Sequence, residues 1–473
     1  MAIEEAKVYV EDLQRGMYVS RLDQPWTRTP FALQGFYIRD LEELRQLQRY
    51  CRFVYVDVVK SVGDAGIQLR KMTRSTAAVE KPRGVRSPRD PVAPALTFCR
   101  PVQVRRDAHP KPIPAHKEAA KAEKLYRELA IGMEEAMRQL VAEGRLPINQ
   151  IKGSMEQMVD SIIRCPDASA WLARMHAMDE YTYRHSIRTS IWALLFGRHI
   201  GLCRDNLIRL GLAALLKDVG KLRLSEETVK AAERTARQEL EYRKFVGYSV
   251  TMLSASPGID PEIIKIVRCH REQHDGSGYP AGLRGDKIPV LARMCGIVTF
   301  YDEATNPRGA QFPVAASRAV AALYSLRGRS YQEQLVVEFI QAIGLYPTGT
   351  KVELSTGEVG MVLEQTYKRR LKPKVMVVLD QNKQRLPKPR LLDLAADDDH
   401  KDRLLARGKL PAEEKITIAR DLEPSRFPEV DTAAIQAANV LTLTLGSGRA
   451  GFGQPPANNS GSRLPGFFSR LLG

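Results

Sequence analysis

The chain has 473 residues, 44% of them hydrophobic, and its 72 Lys and Arg against 55 Asp and Glu give a formal net charge of +17. That length fits about two to four domains with ample core material, and no run of 18 apolar residues marks a transmembrane helix. Six scattered cysteines without CxxC spacing argue against a disulfide frame or a structural zinc site and for reduced thiols. The start, MAIEEAKVYV, lacks the basic-then-apolar pattern of a signal peptide, so a cytoplasmic location is expected. The basic balance favours anionic partners such as nucleotides, nucleic acid or acidic lipid, or else resides in solvated linkers. No C₂H₂ finger or RNP segment is present, so no specific nucleic-acid module is expected.

Residues 1–62 predict a small α+β domain. KVYVEDL, MYVSRL and RFVYVDV have strand composition, and LEELRQLQRY has helical spacing. Residues 63–115, rich in Pro, Lys and Arg, predict a flexible basic linker. From 116 to 345, apolar residues recur at helical spacing in segment after segment, which predicts an all-α bundle of about nine or ten helices. In 346–396, TKVELSTGEVGMVLEQT and KPKVMVVLDQ alternate apolar and polar around Gly turns, predicting a small β appendage. Residues 397–473 read as an extension with a disordered tail. The final RLPGFFSRLLG is either an amphipathic peptide for a membrane or partner, or a frayed end. The fold class is therefore mainly α: a helical bundle with a small α+β domain before it and a small β unit after it.

The segments that carry chemistry are KDVGK, residues 217–221, and HREQHDGSGYPAGLRGDKIP, residues 270–289. Together they resemble the two signature segments of the HD-GYP family, bacterial enzymes that hydrolyse cyclic di-GMP. GMYVSRLDQPW, PFALQGFYI and VYVDVVKS similarly resemble a domain of unknown function that commonly precedes HD-GYP domains. The resemblance implies an HD-type helical bundle with two metals mounted on its core helices. Two metals about 3.5–4 Å apart would activate a water and neutralise charge on the phosphate.

Matched position by position, the resemblance leaves His185, Asp218 and His270 as remaining metal ligands. Lys217 stands where the family has the His of His-Asp. Arg271 replaces the second His of HHExxDGxGYP, and Thr299 replaces the Asp of VADxYDALT. The place of a His-Pro pair falls near Phe245-Val246. Tyr301, Asp302 and Thr305 still match. Two of the substitutes are cations, which repel a divalent ion in a low-dielectric pocket. No cofactor is therefore expected or, at most, a divalent metal such as iron or manganese at a degraded site.

Asp218 and Lys221 occupy the family's catalytic positions. Lys217, Arg271, Arg308, Gly276, Gly278, Tyr279 and Pro280 are the candidate ligand-binding residues. Three fixed cations, Lys217, Lys221 and Arg271, can hold a phosphate if they converge on one open pocket. Alternatively Asp218 pairs with them internally, the glycines serve the turn, and Phe245 closes the pocket. His274 is expected to face solvent.

Three readings follow. The first is a catalytically degenerate protein of cyclic di-GMP signalling that binds this or a related nucleotide, or a protein partner through the GYP loop or the N-terminal domain. The second is an active phosphodiesterase giving pGpG or GMP. The third is an interaction scaffold. A homodimer is compatible with all three.

Overall fold

The computed structural model describes residues 5–23, 36–38, 41–57, 61, 99–175, 181–231, 233–307, 313–365, 371–406, 415–423 and 426–430. Arg308 and the C-terminal tail lie outside them. Among the described residues no helix is long and apolar enough to cross a membrane.

The N-terminal unit is an antiparallel sheet in the order β1-β4-β2-β3, from β1 (Glu5–Tyr9), β2 (Tyr18–Leu22), β3 (Phe36–Tyr37) and β4 (Phe53–Asp57). Helix α1 (Leu41–Tyr50) lies between β3 and β4 in the chain. Val19, Phe36, Leu47, Val54 and Val56 close its small core.

The helical domain contains twelve α-helices among the described residues. They are α2 (Ala115–Glu143), α3 (Ile148–Arg164), α4 (Pro166–Met175), α5 (Tyr181–Ile200), α6 (Arg204–Leu216), α7 (Glu226–Lys230), α8 (Ala236–Arg243), α9 (Phe245–Ser254), α10 (Pro261–Cys269), α11 (Val290–Thr305), α12 (Ala316–Ser325) and α13 (Glu333–Ile343). A 3₁₀ turn, Val219–Arg223, follows α6. The sequence dictates several of these boundaries. Helix α2 buries Leu125, Leu129, Met133, Met137 and Leu140 at spacings of three and four. It stops at Gly144, whose positive φ of 70° lets its N–H reach the Leu140 carbonyl. Thr235 and Gln238 form a reciprocal capping box on α8. Asp260 caps α10, with Pro261 in its first turn.

Helix α5 is the axis of the domain. From Ile187 to Phe196 all its side chains are buried, polar ones included. A helix buried on every side must satisfy its polar groups internally. Ser190 accordingly donates to the Gly211 carbonyl at 3.0 Å, and Arg188 is held by a carboxylate described below.

The C-terminal unit is an antiparallel sheet in the order β8-β7-β6-β5-β9. Its members are β5 (Lys351–Leu354), β6 (Val359–Glu364), β7 (Lys374–Leu379), β8 (Arg385–Asp393) and β9 (Ile418–Asp421), with α14 (Leu394–Ala406) between the last two. Both faces carry a cluster of buried apolar side chains. The fifth strand comes from beyond residue 396, where the sequence suggested that the β unit ends. Backbone pairing of Val352 with Asp421 recruits a segment whose own apolar pattern is weak.

Residues 99–114 are not a free linker, contrary to the compositional reading of 63–115. They form a strap fixed by hydrogen bonds that Pro/Lys/Arg content does not reveal. Val102 exchanges backbone bonds with the Gln334 side chain, both at 2.8 Å. Arg105 N–H donates to the Ile200 carbonyl at 2.7 Å. Arg106 forks between Glu43 of α1 at 3.0 Å and Gln341 of α13 at 2.8 Å. It also lies 3.8 Å from the fully buried Glu338, which is 3.0 Å from His199. One guanidinium thus ties the N-terminal sheet domain to the bundle. Truncating one member of a buried ionic cluster leaves the others uncompensated, so Glu338→Ala should cost about 3 kcal/mol in urea unfolding. A loss below about 0.5 kcal/mol, the range of ordinary surface substitutions, would show that the cluster is not stabilising.

Candidate functional site

The sequence motifs converge where α5, the end of α6, the end of α10 and α11 meet. Residues 185, 188 and 189 lie three and four apart on α5 and so share one face. Helix α6 ends at Leu216, which places Lys217 and Asp218 at its C-terminal end and Lys221 in the 3₁₀ turn that follows. Close packing makes that turn possible. A Cβ on Gly220 would lie 2.1 Å from the Phe245 carbonyl oxygen, so only glycine lets the turn rest on α9.

At the centre is the Lys217 ammonium, which is fully buried. Its Nζ is 2.6 Å from Asp218 Oδ2, 3.1 Å from His185 Nε2 and 3.3 Å from Thr189 Oγ1. An ammonium has three N–H donors, and three acceptors surround it. This sets the His185 tautomer. Nε2 faces the ammonium and accepts, while Nδ1–H donates to Asp302 Oδ2 at 2.7 Å. Asp302 in turn receives Arg188 at 2.9 Å on Oδ1 and 3.1 Å on Oδ2. The other oxygen of Asp218 lies 2.8 Å from Lys221 Nζ.

Four cations (Arg188, Lys217, Lys221, Arg271) therefore face three carboxylates (Asp218, Asp302, Glu303). The acids remain ionised. Burial opposes this for Asp218, but the Lys217 and Lys221 ammonium groups hold it well below the usual carboxylate range. Asp302, also buried, is drawn down to about 2 by Arg188 and His185. Glu303 is held near about 2 against its burial by Arg271.

His270 lies beside this network but outside it. Its Nδ1–H donates to the Val267 carbonyl at 2.7 Å, and Nε2, buried, has no hydrogen-bond partner among the described residues. Burial, with Arg271 adjacent, pushes it down to about 3. Phe245 is fully buried, with its ring centroid 5.8 Å from the His270 ring and 5.0 Å from Lys221 Nζ. Thr299 turns its hydroxyl back to the Cys295 carbonyl at 2.7 Å.

A dinuclear metal site does not fit these residues. The Lys217 ammonium lies between His185 and Asp218, two of the three remaining ligand positions. Its donors already satisfy the lone pairs that a cation would need. A divalent ion would add two charges to a cluster that already has one more cation than carboxylates, in a medium that screens poorly. Among the described residues no group of three or more His, Cys, Asp or Glu is arranged to hold a metal.

Several candidate ligand-binding residues have other roles in the structure. Lys217 and Lys221, 0% and 7% exposed, do not converge with Arg271 on an open pocket, because Asp218 takes both ammonium groups. Arg271 pairs with Glu303 through both guanidinium ends, one of them at 3.1 Å. A Cβ on Gly278 would approach Gln273 N to 2.2 Å, and Gly276 adopts φ 82°, so the loop's own packing requires both glycines. Tyr279 is half-buried and burial pushes its hydroxyl up to about 12, while Pro280 is exposed. His274 is buried, not solvent-facing. Its N–H donates to the Ser330 carbonyl and its ring lies 3.6 Å from the Cys99 thiol of the strap.

Sequence reasoning missed Arg188, Thr189 and Glu303 as members of the network. The spacing of 188 and 189 from His185 could have found the first two. Glu303 could have been found from the YDALT comparison, where it replaces Ala and is the partner of the equally unusual Arg271.

Two predictions follow from this geometry. Lys217→Met removes one partner of a buried ion pair and should cost about 3 kcal/mol or more by chemical denaturation. An unchanged or raised midpoint would show that the ammonium is dispensable. The second concerns pH. His270 is neutral when folded, with a value of about 3 against 6.5 for a free imidazole. Protonation therefore favours the unfolded chain. Stability should be full above pH 6.5 and fall steadily towards pH 3, with Asp302 and Glu303 extending the loss below about pH 4. His270→Asn should flatten the upper part of that melting-versus-pH curve, and an unaltered curve would assign the loss to other groups.

Comparison with known proteins finds two domain matches and several similar proteins. Residues 5–151 match a domain of unknown function, DUF3391, and residues 170–335 match the HD domain. The chain is 26% identical over 375 residues to cyclic di-GMP phosphodiesterase PA4108 of Pseudomonas aeruginosa, covering 78% of this chain and 84% of that protein. It is 29% identical over 152 residues to cyclic di-GMP phosphodiesterase response regulator RpfG of Xanthomonas campestris pv. campestris, covering 32% of this chain and 40% of that protein. Among solved structures, Bd1817, a HDG"Y"P protein from Bdellovibrio bacteriovorus, aligns with a TM-score of 0.39 at 15% identity, over 71% of this chain and 98% of that one. The chain therefore carries a DUF3391 domain followed by an HD domain and is similar to proteins named cyclic di-GMP phosphodiesterases.

Proposed function

We propose that this protein is a catalytically silent HD-GYP-type component of cytoplasmic cyclic di-GMP signalling that acts through a protein partner. The observation that carries this reading is the Lys217 ammonium, saturated by Asp218, His185 and Thr189 in the place where the family pattern has a ligand histidine. A site already filled by its own cation has neither the ligands nor the charge for two metals. The Arg271–Glu303 pair supports the same reading. Both residues depart from the family pattern, and the two departures compensate each other. Partner contact then falls to the exposed part of the GYP loop, where Ser277, Pro280, Ala281, Gly282 and Arg284 face solvent, and to the N-terminal domain.

One observation favours a second reading, nucleotide binding without hydrolysis. At the rim of the closed centre, the exposed Arg243 lies 5.1 Å over the half-buried Tyr279 ring, while Arg234 lies 3.6 Å over the buried Tyr242. Cations stacked on aromatic rings are a suitable surface for a phosphorylated base.

The test is to incubate the purified full chain with cyclic di-GMP in the presence of manganese or iron(II), assay pGpG and GMP, and titrate the ligand calorimetrically. No product is expected at any metal concentration. Product formation that depends on Asp218 would overturn the silent assignment. Binding without turnover that Arg243→Ala weakens would favour the second reading over the partner one.

A further inference from the structure

The N-terminal sheet has two unlike faces. On one, Val19, Leu22, Val54 and Val56 share a core with Leu47 of α1. Side chains alternate along a strand, so the residues between these project from the other face. There the pairing register sets Lys7 of β1 and Arg21 of β2 on either side of Tyr55 of β4, and Tyr9 of β1 beside Phe53 of β4. The bundle closes one end of this face, where the buried Tyr18 puts its hydroxyl 3.4 Å from the Glu333 carboxylate. The other end is open among the described residues. Tyr9 is 57% exposed, Lys7 and Arg21 are exposed, and Phe53 and Tyr55 are half-buried.

The rings and charges at the open end form one array. The Tyr9 and Phe53 ring centroids are 6.3 Å apart, and those of Phe53 and Tyr55 are 5.8 Å apart. Lys7 Nζ lies 3.7 Å from the Phe53 centroid, and the Arg21 guanidinium carbon lies 3.9 Å from that of Tyr55. Among the described side chains of the four strands, the exposed charges are these two cations, while the acid Asp57 is buried. Cross-strand ring pairs steady a sheet, but Tyr9 on the edge strand leaves most of its ring in water. A ligand complementary to this face has to be both planar and anionic. Single-stranded nucleic acid meets both demands, because its bases stack on rings and guanidinium planes while its phosphates meet the cations.

We propose that the open face of the N-terminal sheet is a stacking platform for single-stranded nucleic acid. Bases rest on Tyr9, Phe53 and Tyr55, and the long Lys7 side chain swings from the Phe53 ring to a phosphate. No continuous segment of the sequence marks the platform, because its side chains come from three strands. It lies on a different domain from the ion network, so it stands or falls independently of catalytic silence.

The experiment titrates a fluorescently labelled oligouridylate of about 12 nucleotides, within the span of known stacking grooves, with the full chain. Anisotropy is read at about 50 mM and about 200 mM salt. Saturable binding is expected at the lower salt. Tyr9→Ala leaves the net charge unchanged and removes an exposed ring, and should weaken binding about fivefold or more. Lys7→Met should make the log-log salt slope shallower by about 0.7, the share of one phosphate on a single strand. No binding at about 100 μM protein, the weak end for non-specific electrostatic association, would overturn the proposal. Binding indifferent to Tyr9→Ala would also overturn it, by assigning the affinity to the chain's general positive charge. So would displacement by poly-glutamate as effective as displacement by unlabelled oligouridylate, which would give the face to an acidic peptide.

Discussion

The site depends on one buried ammonium. Lys217 cannot be withdrawn from its position without leaving Asp218, His185 and Thr189 short of a donor. Nor can it stay there without the carboxylate that neutralises it. A fully buried lysine is tolerated only when paired and hydrogen-bonded, and this one meets both conditions through residues from two different helices. The consequences spread outward. The ammonium fixes the imidazole tautomer, the imidazole orients Asp302, and Asp302 holds Arg188 inside a helix with no solvent-facing side at that level. The result around Lys217 is a closed chain of hydrogen bonds.

The glycines and the acid that match the family's motif serve the local fold. Gly220 still lets the turn after α6 pack against α9, and Gly276 and Gly278 still shape the loop around the Glu272 carboxylate, which accepts from the Ala281 and Leu283 amides at 2.7 and 3.0 Å. These residues meet backbone demands that do not depend on what lies at the centre. Motif residues that serve the fold are separable from those that serve chemistry. In this chain the first kind is retained, while of the second kind His185, Asp218, His270 and Lys221 remain beside the substitutes Lys217, Arg271 and Thr299. Arg271 and Glu303 are opposite charges brought together from positions 32 residues apart, whereas Lys217 and Asp218 are neighbours in the chain.

The strap extends the same logic to the whole molecule. Arg106 joins α1 to α13 and approaches Glu338, which holds His199 on the axial helix. Cys99 of the strap touches the GYP loop through His274. The N-terminal domain, the loop and the bundle are therefore connected by buried or half-buried polar contacts, which need specific geometry, as well as by apolar packing, which does not. A partner that engages either exposed surface acts on a body whose parts are already coupled.

The sequence by itself determined the helices and their caps, because spacing and capping are local: α2, α8 and α10 begin and end where their residues require. It also determined which motif positions depart from the family pattern, and so the doubt about two metals. It could not show how those departures pair, because Arg271 and Glu303 are separated by a loop and a helix. It misread the strap, whose composition is that of a linker and whose fixity comes from distant side chains such as Gln334 and Glu43. It ended the β unit too early, because β9 owes its conformation to pairing with β5. Whether Lys217 opens to a ligand or closes on Asp218 is set by the burial that α5, α9 and α11 impose together, and only the tertiary structure decides that.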